Sequence, residues 1–342
     1  MTNETPRSLG FRIPAEWEPH EATWLAWPHN RSDWPGKFTP VPWVYCDIVA
    51  KLARVERVRI LIQDEAAEAK ARMQLKKSGA NLAAVEFFHC PTNRSWTRDY
   101  CPLFVKIASG EIAITKWRFN GWAKYSDCEL DDAVVDCIAP HLNMRMWRPD
   151  LVLEGGAIDV NGAGVLMTTE ECLLCSSVQD RNPGLSREGL EQALSDYLGI
   201  ERVLWLKRGI AGDDTHGHID DLARFVSPST IVLVSEDDPA EENYEPLREN
   251  LELLRSRKDF EIRTLPMPRP VIFDGQRLPA SYANFYIANR TVLAPTFNDP
   301  ADRVALNTLA ELFPDREVIG IHALDLVLGL GTLHCGTMQQ PA

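Results

Sequence analysis

Short apolar runs rich in β-branched residues alternate along the chain with longer segments whose apolar residues recur at helical spacing. The runs predict strands at 58–63, 112–119, 164–169, 230–235 and 285–297. The segments with helical spacing predict helices at 43–54, 186–198, 241–257 and 301–312. Alternation of this kind indicates the α/β class.

The helix predicted at 186–198 carries its own start and stop signals. Ser186 is a good N-cap, and Leu190, Leu194 and Leu198 recur at the spacing of one helix face. Gly199 follows at the position where a left-handed residue commonly ends a helix. The local sequence therefore supports the helix independently of the apolar pattern.

The 342 residues, of which 45% are hydrophobic, suffice for a large core, and no Gly/Ser-rich or charged linker divides them. A single domain over 1–342 is the simplest organisation. Polar or aromatic residues at the ends of strand-like runs recur at a rough period: Trp27, Asp99, Glu154, His218 and Cys335 are separated by 72, 55, 64 and 117 residues. Counting the last interval as two periods, five repeated units around one axis would explain this spacing.

Charge and hydropathy narrow the choice of partners. Lys and Arg number 36 against 49 Asp and Glu, so the net charge of −13 disfavours nucleic acid and favours small cations. No apolar run approaches the roughly 20 residues needed to cross a bilayer, and the N-terminal segment lacks the apolar stretch of a signal peptide. We therefore expect a cytoplasmic protein with no membrane or nucleic acid partner.

The eight cysteines are irregularly spaced through a long chain, which indicates reduced thiols. Cys172 and Cys175 form one C-x-x-C pair, but no second pair at zinc-ribbon spacing accompanies it. We expect both to be buried structural cysteines.

Four short segments contain candidate chemistry. Glycines at 329, 331 and 336 surround Cys335, which is either a nucleophile or a cysteine buried beside a terminal strand. His218 and Asp220 are two residues apart and would share one face of an extended strand. Asp99 lies between aromatic residues, and Glu154 ends a strand-like run; in isolation each has an ordinary structural explanation.

A metal site competes with this interpretation of the 213–220 segment. Its candidate ligands are Asp213, Asp214, His216, His218 and Asp220. No other cluster of ligands with matching character accompanies them in the sequence, which favours a site without metal.

Taken together, one Cys, one His and three carboxylates suit a guanidinium substrate. Two of the three carboxylates (Asp99, Glu154 and Asp220) can hold this planar cation through paired hydrogen bonds. Its resonance-stabilised carbon requires a strong nucleophile and a proton for the departing nitrogen, roles that suit Cys335 and His218. Glu154 could orient the imidazole and support its protonated form.

These residues lie in motifs that resemble the agmatine deiminase and bacterial peptidylarginine deiminase family, within the guanidine-modifying enzymes of pentein fold. The matching segments extend over nearly the whole chain: 14–28, 95–102, 119–125, 153–164, 168–174, 181–187, 212–221, 279–289, 295–302 and 333–341. Three positions depart from the usual pattern: Cys101 replaces a glycine, His216 replaces Asn or Asp, and Gly336 with Thr337 and Met338 follows the cysteine. These departures bear on specificity more than on the reaction type.

The resemblance implies a five-bladed α/β propeller of ββαβ units with pseudo-fivefold symmetry and a covalent thiouronium intermediate on Cys335. It assigns Asp99 and Asp220 to the guanidinium, His218 to acid/base catalysis and Glu154 as the partner of that histidine. It suggests Trp27 or Trp96 as a wall of the substrate site. It implies no metal or organic cofactor, and it suggests a homodimer.

The predicted reaction is hydrolysis of agmatine to N-carbamoylputrescine and ammonia, a step toward putrescine. Free arginine or peptidylarginine is an alternative substrate for the same chemistry. A metal-dependent hydrolase and a non-catalytic polyamine or guanidine binder are alternatives from other classes.

Overall fold

Strands and helices alternate along residues 4–342, the part of the chain that the computed structural model describes. The strands are β1 (His20–Ala26), β2 (Arg57–Ile62), β3 (Val85–His89), β4 (Leu103–Lys106), β5 (Ile112–Thr115), β6 (Met146–Trp147), β7 (Asp159–Val160), β8 (Val165–Thr169), β9 (Arg202–Leu206), β10 (Ala223–Ser227), β11 (Thr230–Ser235), β12 (Glu261–Pro266), β13 (Ile272–Phe273), β14 (Gln276–Arg277), β15 (Tyr286–Ile287), β16 (Thr291–Thr296), β17 (Glu317–His322) and β18 (Met338–Pro341). The α-helices are α1 (Val41–Leu52), α2 (Glu65–Lys77), α3 (Thr97–Tyr100), α4 (Glu129–Asp132), α5 (Val134–Leu142), α6 (Glu170–Leu174), α7 (Arg187–Leu198), α8 (Tyr244–Arg255) and α9 (Ala301–Leu312).

The strands form small mixed sheets that share one pattern. Four sheets have the orders β4-β5-β6, β7-β8-β9, β10-β11-β12 and β15-β16-β17, and in each the first pair is antiparallel and the second parallel. Each parallel pair is connected through at least one helix, as a parallel crossover requires. The protein is thus mixed α/β, as the sequence pattern predicts.

The fifth of these sheets joins the two ends of the chain. Its order is β18-β1-β2-β3, with β18 antiparallel to β1 and Trp24 opposite Met338. Because β18 begins three residues after Cys335, this pairing anchors the cysteine segment on the N-terminal sheet. A separate hairpin, β13-β14, completes the sheet inventory of the described residues.

Most predicted elements are confirmed within one to three residues at each end. The strand at 230–235 and the helix at 301–312 match the observed bounds. In the helix predicted at 186–198, the Ser186 hydroxyl accepts a hydrogen bond from the Gly189 N–H at 3.1 Å. Gly199 adopts the left-handed conformation that ends this helix.

Two predicted strands are wrong in extent. The run at 285–297 divides into β15 and β16, because the chain reverses at Asn289 and Arg290 and Ala288 bonds back to Thr291. The strand predicted at 112–119 ends at Thr115, and Lys116 instead donates its N–H to the carbonyl of Trp147.

The cysteines are unpaired, but the prediction for the C-x-x-C motif is only half right. Cys172 is buried on α6, whereas Cys175 is partly exposed because it is the C-cap of that five-residue helix. Hydrogen bonding to Ser177 and His216 lowers the pKa of the Cys175 thiol to about 6. Within residues 4–342, no helix is long and apolar enough to cross a membrane.

We predict that the apolar face of α7 contributes strongly to stability. Leu194 is fully buried, so Leu194→Ala should lower the free energy of unfolding by about 2–5 kcal/mol through lost burial and a residual cavity. Gln192 on the same helix is exposed, so Gln192→Ala should change the free energy of unfolding by no more than about 0.5 kcal/mol. Chemical denaturation of both variants beside the parent measures the difference; equal effects would contradict the packing assigned to α7.

Candidate active site

Cys335 is held by hydrogen bonds from a distant part of the chain. The Asn284 side chain donates to the Cys335 Sγ at 3.1 Å and to Asp221 at 2.9 Å. Its carbonyl oxygen accepts from the Thr332 hydroxyl at 2.6 Å and from the His334 N–H at 3.0 Å. The side-chain amide of Asn284 therefore has two roles: its oxygen fixes the 332–335 loop, and its nitrogen contacts the Cys335 sulfur.

The short helix α3 places Asp99 beside this loop. The Thr97 hydroxyl donates to the Gly336 carbonyl at 2.9 Å, and the Arg98 N–H donates to the Cys335 carbonyl at 3.1 Å. The Arg98 side chain also donates from Nε to the His334 carbonyl at 3.3 Å. These bonds join the two sequence motifs, so that Asp99 and Cys335 line one cavity.

Gly156 permits a close approach between Asp99 and His218. Its N–H donates to Asp99 Oδ1 at 2.9 Å, and His218 Nδ1 lies 3.9 Å from the same oxygen. A Cβ at this position would lie 2.6 Å from His218 Nδ1 and 2.8 Å from Asp99 Oδ1. Only glycine fits here without displacing both side chains.

His218 and Asp220 come together, but not on the extended strand that their spacing suggests. That expectation is wrong, because Ile219–Asp221 forms a 3-10 turn. Asp213 holds this region by accepting the N–H groups of Gly217 and His218 at 2.7 and 3.0 Å. His218 Nδ1 then lies 4.0 Å from Asp220 Oδ1, and Asp220 Oδ2 lies 3.7 Å from the Cys335 sulfur.

Glu154 is fully buried on the other side of the His218 ring. Its Oε1 accepts from Arg181 Nε at 3.1 Å. Glu154 Oε2 and His218 Nε2 have no hydrogen-bond partner among residues 4–342. Ligand atoms of Glu154, His218 and Cys172 lie within 4.8 Å of one another, so the carboxylate and the imidazole are near neighbours.

Burial and like charge dominate the electrostatics of this group. Burial raises the pKa of Asp99 to about 6. The charge of His218 lowers this pKa, and the charge of Asp220 raises it. Burial also raises the pKa of the Cys335 thiol well above its usual value, and Asp220 and Asp221 raise it further. Without an added cation, the sulfur is therefore protonated.

The histidine and the second carboxylate are shifted toward their charged forms. Burial lowers the pKa of His218, but the charges of Asp99 and Asp220 and the nearby Cys172 together outweigh burial, and the net shift is well upward. Burial raises the pKa of Asp220, but the hydrogen bond from His334 together with the charges of His334, His218 and Arg224 outweighs burial, and the net shift is downward. The site thus pairs a protonated imidazole with an ionised carboxylate.

His334 was not singled out by sequence reasoning, although it precedes Cys335. Its Nδ1 lies 2.7 Å from Asp220 Oδ2 and its Nε2 lies 2.7 Å from Glu16 Oε2. Glu16 also pairs with Arg98 at 3.2 Å and with Arg224 at 3.0 Å. Both partners of His334 lie more than 100 residues away in the sequence. The only sign of its role in the sequence is its position next to Cys335.

A cavity of about 620 Å³ opens onto Cys335 and Asp99. Trp96 lines it, as the resemblance suggests, whereas Trp27 lies outside it and packs edge-on against Tyr45 with ring centroids 6.4 Å apart. Trp122, which sequence reasoning missed, lines the cavity and donates its indole N–H to Asp99 Oδ2 at 2.8 Å. Its φ of 57° is strained for a bulky residue, a feature found at functional sites.

Of the side chains considered as a metal site, His218 and Asp220 come together, but no group within metal-binding reach in residues 4–342 includes Asp213, Asp214 or His216. Asp213 is engaged with backbone N–H groups, and Asp214 pairs with Lys124 and the Tyr125 hydroxyl. The groups within metal-binding reach in residues 4–342 are Glu154 with Cys172 and His218, and Asp220 with Asp221 and Cys335.

The three departures from the family pattern lie around the site. Cys101 is buried at the C-cap of α3, and His216 adopts a left-handed conformation two residues before His218. The carbonyl of Gly336 accepts the Thr97 hydroxyl. None of the three occupies one of the five predicted chemical positions.

Comparison with known proteins agrees with the resemblance of the motifs. The family model for Porphyromonas-type peptidyl-arginine deiminase matches residues 12–341. The structure of Enterococcus faecalis agmatine deiminase is 31% identical with a TM-score of 0.92, covering 100% of this chain and 98% of that one. A C. jejuni agmatine deiminase with a cysteine replaced by serine and substrate bound is 30% identical with a TM-score of 0.89, covering 97% and 96%.

A Legionella pneumophila relative, whose agmatine deiminase assignment is itself provisional, is 36% identical over 99% of this chain and 97% of its own. An amidinotransferase from Microseira wollei covers 96% of each chain at 13% identity and a TM-score of 0.55, and it shows a likeness of fold alone, that of the pentein proteins. These end-to-end matches show that the chain belongs to the family of agmatine deiminases and Porphyromonas-type peptidyl-arginine deiminases.

Proposed function

We propose that this protein hydrolyses agmatine to N-carbamoylputrescine and ammonia through a covalent intermediate on Cys335. The observation that carries the proposal is the convergence of Cys335, His218 and two buried carboxylates, Asp99 and Asp220, beside the cavity that Cys335 and Asp99 line. The names of the E. faecalis and C. jejuni relatives support agmatine as the substrate. Free arginine and peptidylarginine are the other substrates to be compared.

Substrate binding would begin with charge neutralisation. Asp99 and Asp220 are buried, and Asp220 Oδ1 has no hydrogen-bond partner within the described residues. A guanidinium supplies several N–H donors in one plane and a charge that carboxylates can balance. The same charge would lower the pKa of the Cys335 thiol, since a nearby cation favours thiolate. Binding would therefore activate the nucleophile.

In the first chemical step, the Cys335 sulfur attacks the guanidinium carbon. Protonated His218 donates a proton to the departing nitrogen, and the C–N bond breaks to release ammonia. The thiol proton is released to solvent when the cation binds, and the proton of His218 goes to ammonia. The thiouronium intermediate therefore retains the substrate's single positive charge, and His218 is left neutral. Glu154 acts through His218 by holding its imidazole.

In the second step, the neutral His218 removes a proton from water as the oxygen attacks the thiouronium carbon. The C–S bond then breaks, the ureido product forms, and the sulfur leaves as a thiolate that is reprotonated. One water is consumed and one ammonia is produced in the full cycle. No metal or organic cofactor takes part in the proposed cycle.

The resemblance also supports a proposal for the arrangement of the sheets. The five sheets with the shared strand pattern would lie around a pseudo-fivefold axis as the blades of an α/β propeller, with the site near that axis. Pairing of β18 with β1 supports this because it links the first and last parts of the chain.

We predict that Cys335→Ala lowers agmatine turnover by roughly a thousandfold or more while leaving the thermal midpoint nearly unchanged. Release of ammonia and of ureido product measures turnover, with arginine and a C-terminal arginine peptide assayed alongside agmatine. Cys137 is partly exposed on α5 and does not line the cavity, so Cys137→Ala is the matched control and should retain parental activity.

Inhibitors separate this mechanism from a metal-dependent hydrolase. EDTA should not inactivate the parent. Iodoacetamide should inactivate Cys175→Ala, which lacks the exposed thiol of low pKa, but only slowly, because the Cys335 thiol is protonated without a bound guanidine. Inactivation by EDTA with retained turnover in Cys335→Ala would reject the thiol mechanism in favour of metal chemistry.

We predict that guanidinium affinity increases with pH through about 6, because burial raises the pKa of Asp99 to about 6. Below that pH the Asp99 carboxyl is neutral and loses its attraction for the cation; above it, the carboxylate is ionised and binds. Calorimetric titration of an alkylguanidine into Cys335→Ala over this range would test the dependence. An unchanged dissociation constant from about pH 5 to about pH 8 would argue against Asp99 as a ligand.

We predict that Gly156→Ala lowers kcat/KM by roughly 10- to 100-fold, because the added methyl group displaces the His218 and Asp99 side chains. Gly189 on α7 is the control: the tightest contact of a Cβ there is the flexible end of Leu185, at 3.0 Å, so Gly189→Ala should retain activity. Steady-state kinetics and thermal midpoints of both variants would be compared. Parental kcat/KM in Gly156→Ala would show that this close approach is not required.

A further inference from the structure

The large cavity has acidic lining residues beyond the group around Cys335. They are Asp33, Asp214 and Asp274. Asp214 is already neutralised by Lys124 and bonded to the Tyr125 hydroxyl at 2.7 Å, and Asp274 is exposed to water. Asp33 differs from both.

One carboxylate oxygen of Asp33 is satisfied and the other is not. Asp33 Oδ1 accepts from Arg94 at 2.6 Å, whereas its buried Oδ2 has no hydrogen-bond partner in residues 4–342. The side chain is only 3% exposed, so solvation does not compensate. An additional donor at Oδ2 would therefore be stabilising.

The charge near Asp33 is also incompletely balanced. Arg94 is shared, since its second nitrogen donates to Asp127 at 2.8 Å. One guanidinium thus serves two carboxylates and leaves a net charge of about −1. Burial raises the pKa of Asp33 to about 6 despite Arg94, which shows how strongly the ionised form is penalised. A further cation would offset this penalty.

A row of side chains along the cavity connects Asp33 with the predicted reaction site. Trp122 donates to Asp99 and packs edge-on against Tyr125 with centroids 5.9 Å apart. Arg94 lies over the Tyr125 ring at 4.4 Å and pairs with Asp33. All five residues line the cavity. Aromatic surface between two acidic groups suits an aliphatic chain with a cation at each end.

We propose that Asp33 determines specificity by receiving the distal ammonium of an aminoalkylguanidine at its unpartnered oxygen. The inference rests on the proposed function, since it assumes that the guanidinium is held at Asp99 and Cys335. Because Oδ2 is shielded from water, a small rotation of the Asp33 side chain toward the cavity accompanies binding. A substrate with a carboxylate at its distal end would bring a negative charge toward Asp33 and bind more weakly.

The test compares agmatine with n-butylguanidine, which has the guanidinium and the aliphatic chain but no ammonium. In the parent, kcat/KM for agmatine should exceed that for butylguanidine by about tenfold or more. Asp33→Asn keeps the shape and an acceptor for Arg94 but removes the charge. It should raise KM for agmatine about tenfold or more, change kcat little, and leave butylguanidine kinetics unaltered.

Asp127→Asn is the matched control, because Asp127 pairs with the same Arg94 but is more exposed and does not line the cavity. It should leave the ratio of the two substrates at the parental value. Equal losses for both substrates in Asp33→Asn would indicate a structural role and overturn the proposal, as would unchanged agmatine kinetics.

The parent enzyme alone provides a second criterion if Asp33→Asn does not fold. Equal or better turnover of butylguanidine than of agmatine would refute an acceptor for the ammonium. Failure of the parent to deiminate any guanidine would instead refute the proposed function on which this inference rests. The two failures are therefore distinguishable.

Discussion

Concentration of buried negative charge around one sulfur is the constraint on which the site depends. Asp99 and Asp220 are buried within reach of Cys335 or His218, and together with burial they raise the pKa of the thiol instead of lowering it. Such a site is unsuited to an anionic or neutral ligand, because neither would relieve the repulsion. A planar cation would relieve it, so the same charges favour the guanidinium and keep the sulfur protonated in its absence.

A buried network of charged side chains centred on Glu16 holds these carboxylates in place against their mutual repulsion. Glu16 accepts from His334 and pairs with Arg98 and Arg224, all of them buried. Through His334 the network lowers the pKa of Asp220 and fixes one of its oxygens. Removal of one member would leave uncompensated buried charge, which is far more costly than loss of a surface ion pair. Stability and chemistry are consequently coupled in this region.

Sequence patterns predicted the individual elements better than their extent or their contacts. Strong β-branched runs and capped amphipathic segments, such as those at 230–235 and around Ser186, match the structure because local energetics decide them. The division of 285–297 and the 3-10 turn after His218 depend on tertiary contacts and turn geometry, which periodicity does not contain.

In the candidate site, too, the sequence identifies residues by their chemistry but does not show their tertiary contacts. Residue chemistry singled out Cys335, His218 and the three carboxylates, and the fold brings them together. Trp122 and Asn284 were missed as individual residues, although both occur in segments that match the family. Their roles depend on contacts with Asp99 and Cys335, which are separated from them by 23 and 51 residues. Only the folded chain reveals such contacts.

Strain at Trp122 connects the chemistry with substrate selection. Its left-handed backbone costs about 1–3 kcal/mol, yet it directs the indole N–H to Asp99 and places the ring against Tyr125. An unstrained backbone at this residue would move the donor away from Asp99 and disturb the aromatic wall at once. Trp122 therefore contacts both Asp99, the carboxylate assigned to the guanidinium, and Tyr125, part of the surface assigned to the aliphatic chain. A change at either contact would alter the other.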